Sequence, residues 1–126
     1  MRARIAANRI KLKRAYEHAS DEDGVRVLVE RLWPRGLKKT DAAIDNWAKE
    51  IAPSTALRKW FGHDPARWDE FRQRYVEELR RHPDELGELR DMARRGTITL
   101  VFSSHDAVHN SAVVLREILL GREAEA

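Results

Sequence analysis

The chain contains no cysteine among its 126 residues. Disulfide bonds, thiolate metal sites and cysteine nucleophiles are therefore excluded together. No apolar run approaches the roughly 20 residues that a membrane-spanning helix needs, and the first seven residues lack the apolar stretch of a secretion signal. From these absences we expect a cytoplasmic protein that makes no contact with a membrane.

Several well-known motifs are also missing. The chain has no Walker loop, no Gly-x-Gly-x-x-Gly and no Gly-x-Ser-x-Gly, so classical nucleotide folds and the hydrolase elbow are not indicated. His105 and His109 are four residues apart, a spacing that zinc accepts on a helix, but no cysteine or glutamate lies near them as a third ligand. We therefore expect neither a metal nor a cofactor.

The net charge of +3 is unevenly distributed. The first 14 residues carry six bases and no acid, which leaves 18 of the 24 bases against all 21 acids in the rest of the chain. A domain-wide nucleic-acid surface is therefore not supported. We expect a basic N-terminal arm at residues 1–9, a single domain at 10–121 and a short tail at 122–126.

Three segments are predicted to be strands. Residues 10–13 alternate apolar and basic side chains, which indicates a half-buried strand whose pairing direction stays open. Residues 25–32 and 97–102 are apolar on consecutive positions, so both of their faces should be covered. Pro34 removes a backbone donor and should end the second strand.

Helices are predicted between and after these strands. Thr40 should cap a helix that buries Ile44, Trp47 and Ile51, and Pro53 should end it. Ser54 should cap a short helix closed by Gly62. Further helices should start at Asp64-Pro65, with Trp68, Phe71, Tyr75 and Leu79 inward, at Pro83-Asp84, and at about Asp106, the last one running to about Leu120.

Two doubly buried strands joined by a long helical crossover indicate a parallel sheet. We therefore predict a three-layer, Rossmann-like α/β domain, with a small and mainly parallel sheet and helices on both faces. In such sheets, ligands bind outside the carboxyl ends of the strands. Three segments should meet at that edge: residues 14–16, 31–36 and 103–106.

The second of these segments offers two arginines. Arg31 and Arg35, at a strand end shaped by Pro34 and Gly36, could clamp a phosphate or a carboxylate. Trp33 could stack on a ligand, although a place in the core is the favoured interpretation. The alternative for both arginines is a structural role in pairing with acids.

The third segment offers hydroxyls and an imidazole. Ser103, Ser104 and Asn110 would bind a ligand at a helix start, which attracts anions. His109 is the candidate catalytic residue, because a neutral imidazole in the first helical turn could transfer a proton. It could instead fix the loop by local hydrogen bonds. Ser54, Arg58 and His63 could line this edge, but capping and solvated charge are favoured for them.

Long motifs give the chain a family resemblance. Residues 27–36, 52–61, 63–65, 71–75 and 99–115 resemble, in order, the signature of the YeaO-like proteins of the domain-of-unknown-function family 488. One departure is Glu30, where the family pattern usually has aspartate. The resemblance implies a Rossmann-like fold and brings no settled activity. Some members carry the label of MarR-type regulator. The two predicted buried strands give that label little support.

Three functions stay open at this stage. The first is binding of a small anionic molecule, phosphate- or nucleotide-like, with or without catalysis. The second is a non-catalytic interaction module, as a monomer or a homodimer, since four tryptophans on short helices could form an exposed patch. The third is a DNA-binding regulator that uses the basic arm, which we consider unlikely.

Overall fold

In the computed structural model, which describes residues 5–122, a four-stranded sheet in the order β1-β4-β2-β3 has all its strands parallel. The strands are β1 (Ile10–Arg14), β2 (Val25–Leu28), β3 (Asn46–Trp47) and β4 (Ile98–Phe102). The α-helices are α1 (Lys39–Ala42), α2 (Thr55–Phe61), α3 (Trp68–Leu79), α4 (Pro83–Arg95) and α5 (Ser111–Leu119). Short 3₁₀ turns precede β1, β2, α2 and α3.

The two strands predicted to be doubly buried are neighbours in the middle of the sheet. Val27 lies beside Leu100, and all five residues of β4 are buried. β1 pairs with the other side of β4, with Ile10 opposite Ile98, so its direction is now settled as parallel. The predicted Rossmann-like α/β class is therefore confirmed.

One face of the sheet carries the larger core. Ile10, Val27 and Leu100 point to this face and pack in one cluster with the buried residues of α2, α3, α4 and α5. Tyr75 of α3 lies wholly inside it, and its hydroxyl donates to the carbonyl of Ile51 at 2.6 Å. These helices fill the long crossover between β2 and β4 and the segment after β4.

The other face has a thinner cover. Leu28 and Val101 are buried there beneath Trp33 and Trp47, whose rings meet edge to face at 5.5 Å. At its amino end, Arg26 is buried and donates to the carbonyl of Ala42 in α1 and to Asp23. The third layer thus consists of one helical turn, a 3₁₀ turn and a tryptophan-bearing loop.

The helix predicted between Thr40 and Ile51 is wrong. α1 ends after one turn at Ala43, which is left-handed (φ 49°), and Asn46–Trp47 pairs with β2 instead. The three apolar residues matched a helical period by spacing alone. The fold sends Ile44 and Trp47 to one face of the sheet and Ile51 to the other core.

The strand predicted over residues 25–32 is shorter. Its last backbone bond to β4 runs from the Val29 N–H to the Val101 carbonyl at 3.1 Å, after which β4 itself ends. Pro34 lies beyond that point and does not stop the ladder. The chain after Val29, which begins with Glu30 and Arg31, therefore leaves the sheet at its carboxyl edge.

The ends of the chain were predicted to be an arm and a tail. Residues 1–4 and 123–126 lie outside the described part, so those predictions are untested there. Ile5 packs against the core, and the Ala7 carbonyl accepts a hydrogen bond from Arg116 at 2.8 Å. No helix within residues 5–122 is both long enough and apolar enough to cross a membrane.

Candidate functional site

A cavity of about 110 Å³ opens at the carboxyl edge of the sheet. Five of the predicted catalytic and ligand-binding residues line it: Arg31, Ser103, Ser104, His109 and Asn110. They come from the ends of β2 and β4 and from the approach to α5. Because β2 and β4 are parallel neighbours, their carboxyl ends lie at the same edge of the sheet, as predicted.

Arg31 is largely committed to holding the cavity wall. Its Nε donates to the Pro53 carbonyl at 3.1 Å and its Nη2 donates to the Ala52 carbonyl at 2.9 Å. These bonds fasten the exit of β2 to the segment that leads into α2. The Arg31 guanidinium therefore has a structural role, because it links the loop after β2 to the segment before α2.

Trp33 and Arg35 are not among the residues that line the cavity. The Trp33 ring belongs to the smaller core, where its Nε1 donates to the Leu37 carbonyl at 2.7 Å. Arg35 is exposed, and its carbonyl accepts a hydrogen bond from the Tyr16 hydroxyl. The pair Arg31 and Arg35 therefore does not form the clamp that the sequence suggested.

Glu30 is a cavity residue that the sequence reasoning noted only as a departure from the family pattern. One of its carboxylate oxygens accepts the Ser103 N–H at 3.1 Å. Burial raises the pKa of Glu30 above its usual value, and hydrogen bonds from Ser103 and the charges of Arg58 and His63 offset this rise only in part. The position of Glu30 directly after a buried strand is the sequence feature that could have identified it as a site residue.

The loop after β4 is built around Asp106. One carboxylate oxygen accepts the N–H groups of Val108 and His109 at 2.9 Å, and the other lies 2.9 Å from His109 Nδ1. Hydrogen bonds from the backbone of His109 and Val108, and from the His109 ring, lower the pKa of Asp106 to about 2. Asp106 is thus a turn-forming residue that orients the imidazole.

The predicted start of the last helix is wrong by five residues. Asn110 is the N-cap of α5, because its side-chain oxygen accepts the Val113 N–H at 3.1 Å and its amide donates to the Asp106 carbonyl at 2.8 Å. Asp106 forms its own turn before that cap. His109 consequently precedes the helix, and the helix-start argument for its neutral form no longer applies.

Two further cavity residues come from α2 and the turn after it. Ser54 caps α2 as predicted, and it is anchored in turn by Glu78. Arg58 projects from α2 into the cavity wall, where its Nε is buried without a hydrogen-bond partner. Capping and solvated charge were favoured for this region, so Arg58 and His63 are the site residues that the sequence ranked too low.

His63 reaches the cavity through an unusual backbone. It follows Gly62 (φ 54°) and is itself left-handed (φ 57°), a region that costs most side chains about 1 kcal/mol or more. Strain of this kind persists where the surrounding structure holds it, often at functional sites. His63 is therefore held in a conformation that local preference does not explain.

The cavity is lined by four basic side chains and one acid. Arg31, Arg58, His63 and His109 provide donors or positive charge, and serine hydroxyls add hydrogen bonds. Within residues 5–122, no group of three or more histidines and acids is arranged to hold a metal ion.

Comparison with known proteins places the chain in a family. The model described as the inactive DUF488-N3 subclade matches residues 9–126. The uncharacterized protein YeaO of Escherichia coli K12 is 46% identical over 110 residues, 87% of this chain and 96% of that one. The uncharacterized protein Rv3073c of Mycobacterium tuberculosis H37Rv is 41% identical over 118 residues, 94% and 99% of the two chains. No solved structure matches.

Proposed function

Because the chain is a YeaO-like protein that belongs to the inactive DUF488-N3 subclade, we propose that it binds a small anionic ligand at the carboxyl edge of its sheet without transforming it. The description of the family as inactive favours binding over turnover. In this proposal, the imidazole that the sequence suggested as a proton-transfer group, His109, is a ligand contact.

The observation that carries the proposal is the Arg58 side chain, which lines the cavity and forms no ion pair with another described residue. Its Nε is enclosed by protein and has no acceptor, and the residue as a whole is half-buried. A guanidinium binds oxyanions by charge-assisted hydrogen bonds. In this proposal, an oxyanion in the cavity pairs with the positive charge that the protein leaves without an acid at Arg58.

The remaining contacts come from both sides of the cavity. His63 and His109 flank the space, and Asp106 fixes His109 by the 2.9 Å contact at Nδ1, which leaves Nε2 for a ligand. Ser103 and Ser104 add hydroxyls at the end of β4. Phosphate and carboxylate groups accept hydrogen bonds from all of these groups.

The size of the cavity limits the ligand. The cavity measures about 110 Å³ and is partly open to solvent. Sites for drug-sized ligands are commonly about 300–1,000 Å³. We therefore propose that the enclosed part of the ligand is a phosphate- or carboxylate-sized head with a short body, and that a whole nucleotide would extend outside.

The test compares two arginines that the structure separates. Inorganic phosphate and short phosphate monoesters are titrated into the wild-type protein and into Arg58→Met and Arg35→Met, with heat and thermal stability as readouts. A bound ligand raises stability by RT ln(1 + [L]/Kd). We expect Arg58→Met to lose at least ten-fold in affinity and Arg35→Met to bind as the wild type does. Equal losses, or no binding to the wild type, would refute the proposal.

A second candidate function, as a docking module, is favoured by two exposed apolar side chains beside the cavity. Leu32 is 61% exposed and Val108 is 63% exposed, and they adjoin the lining residues Arg31 and His109. The molar mass of the protein in solution tests for a homodimer. A dimer that Leu32→Ser or Val108→Ser dissociates would support this function, and a monomer at high concentration would contradict the homodimeric form.

A further inference from the structure

Opposite charges line the same cavity without meeting. Glu30 at the end of β2 and Arg58 on α2 both face the space. Burial raises the pKa of Glu30 and the positive charge of Arg58 partly offsets this rise, yet the two side chains form no ion pair within 4.0 Å in the described structure. Elsewhere in the protein, buried charges of opposite sign do close up, as Arg26 and Asp23 do at 2.7 Å.

Neither group is satisfied by the rest of the protein. A carboxylate can accept about four hydrogen bonds, and the contacts that Glu30 receives come from Ser103 alone. The Nε of Arg58 has no partner at all. Both side chains line the same cavity, and neither charge is paired with an opposite charge of the described residues.

A bare anion would satisfy only half of this arrangement. It would meet Arg58 and His63, but it would also lie in the same small volume as the Glu30 carboxylate, and like charges at short range are unfavourable. A ligand with a donor beside its anion would meet both. An ammonium group is the strongest such donor, because it adds charge to the hydrogen bond.

We infer that the ligand is a small zwitterion, whose anionic end binds at Arg58 and whose ammonium group binds at Glu30. This inference rests on the proposed anion-binding function and specifies the ligand class. Amino-alkyl phosphates and short amino acids have the required chemistry, and the short members of either class fit within a cavity of about 110 Å³. Glu30 is then the residue that determines specificity.

The experiment uses ligand pairs that differ only in the amine. Calorimetric titrations compare 2-aminoethyl phosphate with ethyl phosphate, and β-alanine with propionate, so that the preferred anion is identified in the same series. For the better pair, we expect the amine to tighten binding to the wild-type protein at least ten-fold, about 1.4 kcal/mol. In Glu30→Gln, that preference should fall to about two-fold or less.

Two variants control for the charge change and for folding. Glu22→Gln removes the same charge at an exposed position near the amino end of β2, and it should keep the full amine preference. Glu30→Asp keeps the charge with a shorter reach, and it should retain part of the preference. The wild-type comparison stands by itself if Glu30→Gln does not fold.

The outcomes separate this inference from the proposed function. If the wild type binds both members of each pair equally, or if the preference survives in Glu30→Gln, the zwitterion assignment is overturned while anion binding stands. If inorganic phosphate, both monoesters and both acids all fail to bind, the two proposals fall together. Loss of all binding in Arg58→Met, with the amine preference confined to proteins that carry an acid at position 30, is the result that supports both.

Discussion

Asp106 holds His109 through the backbone and the side chain at once: one oxygen accepts the His109 N–H, and the other lies 2.9 Å from Nδ1. The same carboxylate also accepts the Val108 N–H. A single acid therefore sets both the path of the loop after β4 and the direction of the imidazole that faces the cavity.

This contact predicts an acid-dependent opening of the loop. The folded pKa of Asp106, about 2, is lower than the unfolded value near 3.8. The stabilisation is therefore complete above pH 3.8 and is lost as the pH falls through 2. Amide resonances of Val108 and His109 should shift together with a midpoint near pH 2. Asp106→Asn should remove that titration, and a midpoint near 4 in the wild type would contradict the geometry.

Glu30 predicts a pH dependence of the opposite sign. Its folded pKa is raised above the usual 4.5 by burial, so the folded state binds this proton more tightly than the unfolded state does. Its contribution to stability is neutral below 4.5 and becomes unfavourable as the pH rises through the folded pKa. Between pH 4 and pH 8, Glu30→Gln should therefore gain stability relative to the wild type in urea unfolding. A gap that stays constant with pH, as expected for Glu22→Gln, would refute this account.

Gly24 predicts a severe and local packing failure. Its backbone has a positive φ (65°, with ψ −137°) that L side chains rarely adopt, and an added Cβ would lie 2.0 Å from the Thr97 carbonyl oxygen. Gly24→Ala must therefore push apart the starts of β2 and β4, at a cost of about 3 kcal/mol or more in the free energy of unfolding. Gly87, inside α4 with no atom near its Cβ position, is the control. Gly87→Ala should stabilise by about 0.5–1 kcal/mol, and similar effects at both sites would contradict the prediction.

The left-handed backbone of His63 predicts a conflict between stability and binding. His63→Gly removes the strain of a side chain at φ 57° and should stabilise the fold by up to about 1 kcal/mol, while it weakens phosphate binding. Ala43 is also left-handed, at φ 49°, but it lies away from the cavity. Ala43→Gly should stabilise in the same way and leave binding unchanged. Loss of binding in both variants would show that the strain has no special relation to the site.

Much of the fold could be predicted from apolar patterning. The consecutive apolar residues of β2 and β4 correctly indicated two central strands, and the stripe of Phe71, Tyr75 and Leu79 correctly indicated a buried helix face. β3 could not be predicted, because two residues are too few to show a period. Its existence depends on the open edge of β2, which only the assembled sheet presents.

The sequence predicted the position of the candidate site but not all of the residues that line it. The strand-end rule found Ser103, Ser104 and Arg31 because it depends only on the direction of the strands. It gave no weight to Arg58 and His63, which reach the same edge from α2 and its left-handed turn. It also gave Arg35 the same weight as Arg31, since the direction of a side chain after the strand ends is set by the loop.

The position of β4 between β1 and β2 has a consequence for the order of folding. Within residues 5–122, β1 pairs with β4 alone, and the paired residues Ile10 and Ile98 are 88 positions apart, whereas the paired residues Val27 and Asn46 of β2 and β3 are 19 positions apart. Closing so long a loop is entropically unfavourable until the helices between have formed. β1 therefore lacks its partner strand until β4 has been synthesised, and we expect it to join the sheet late.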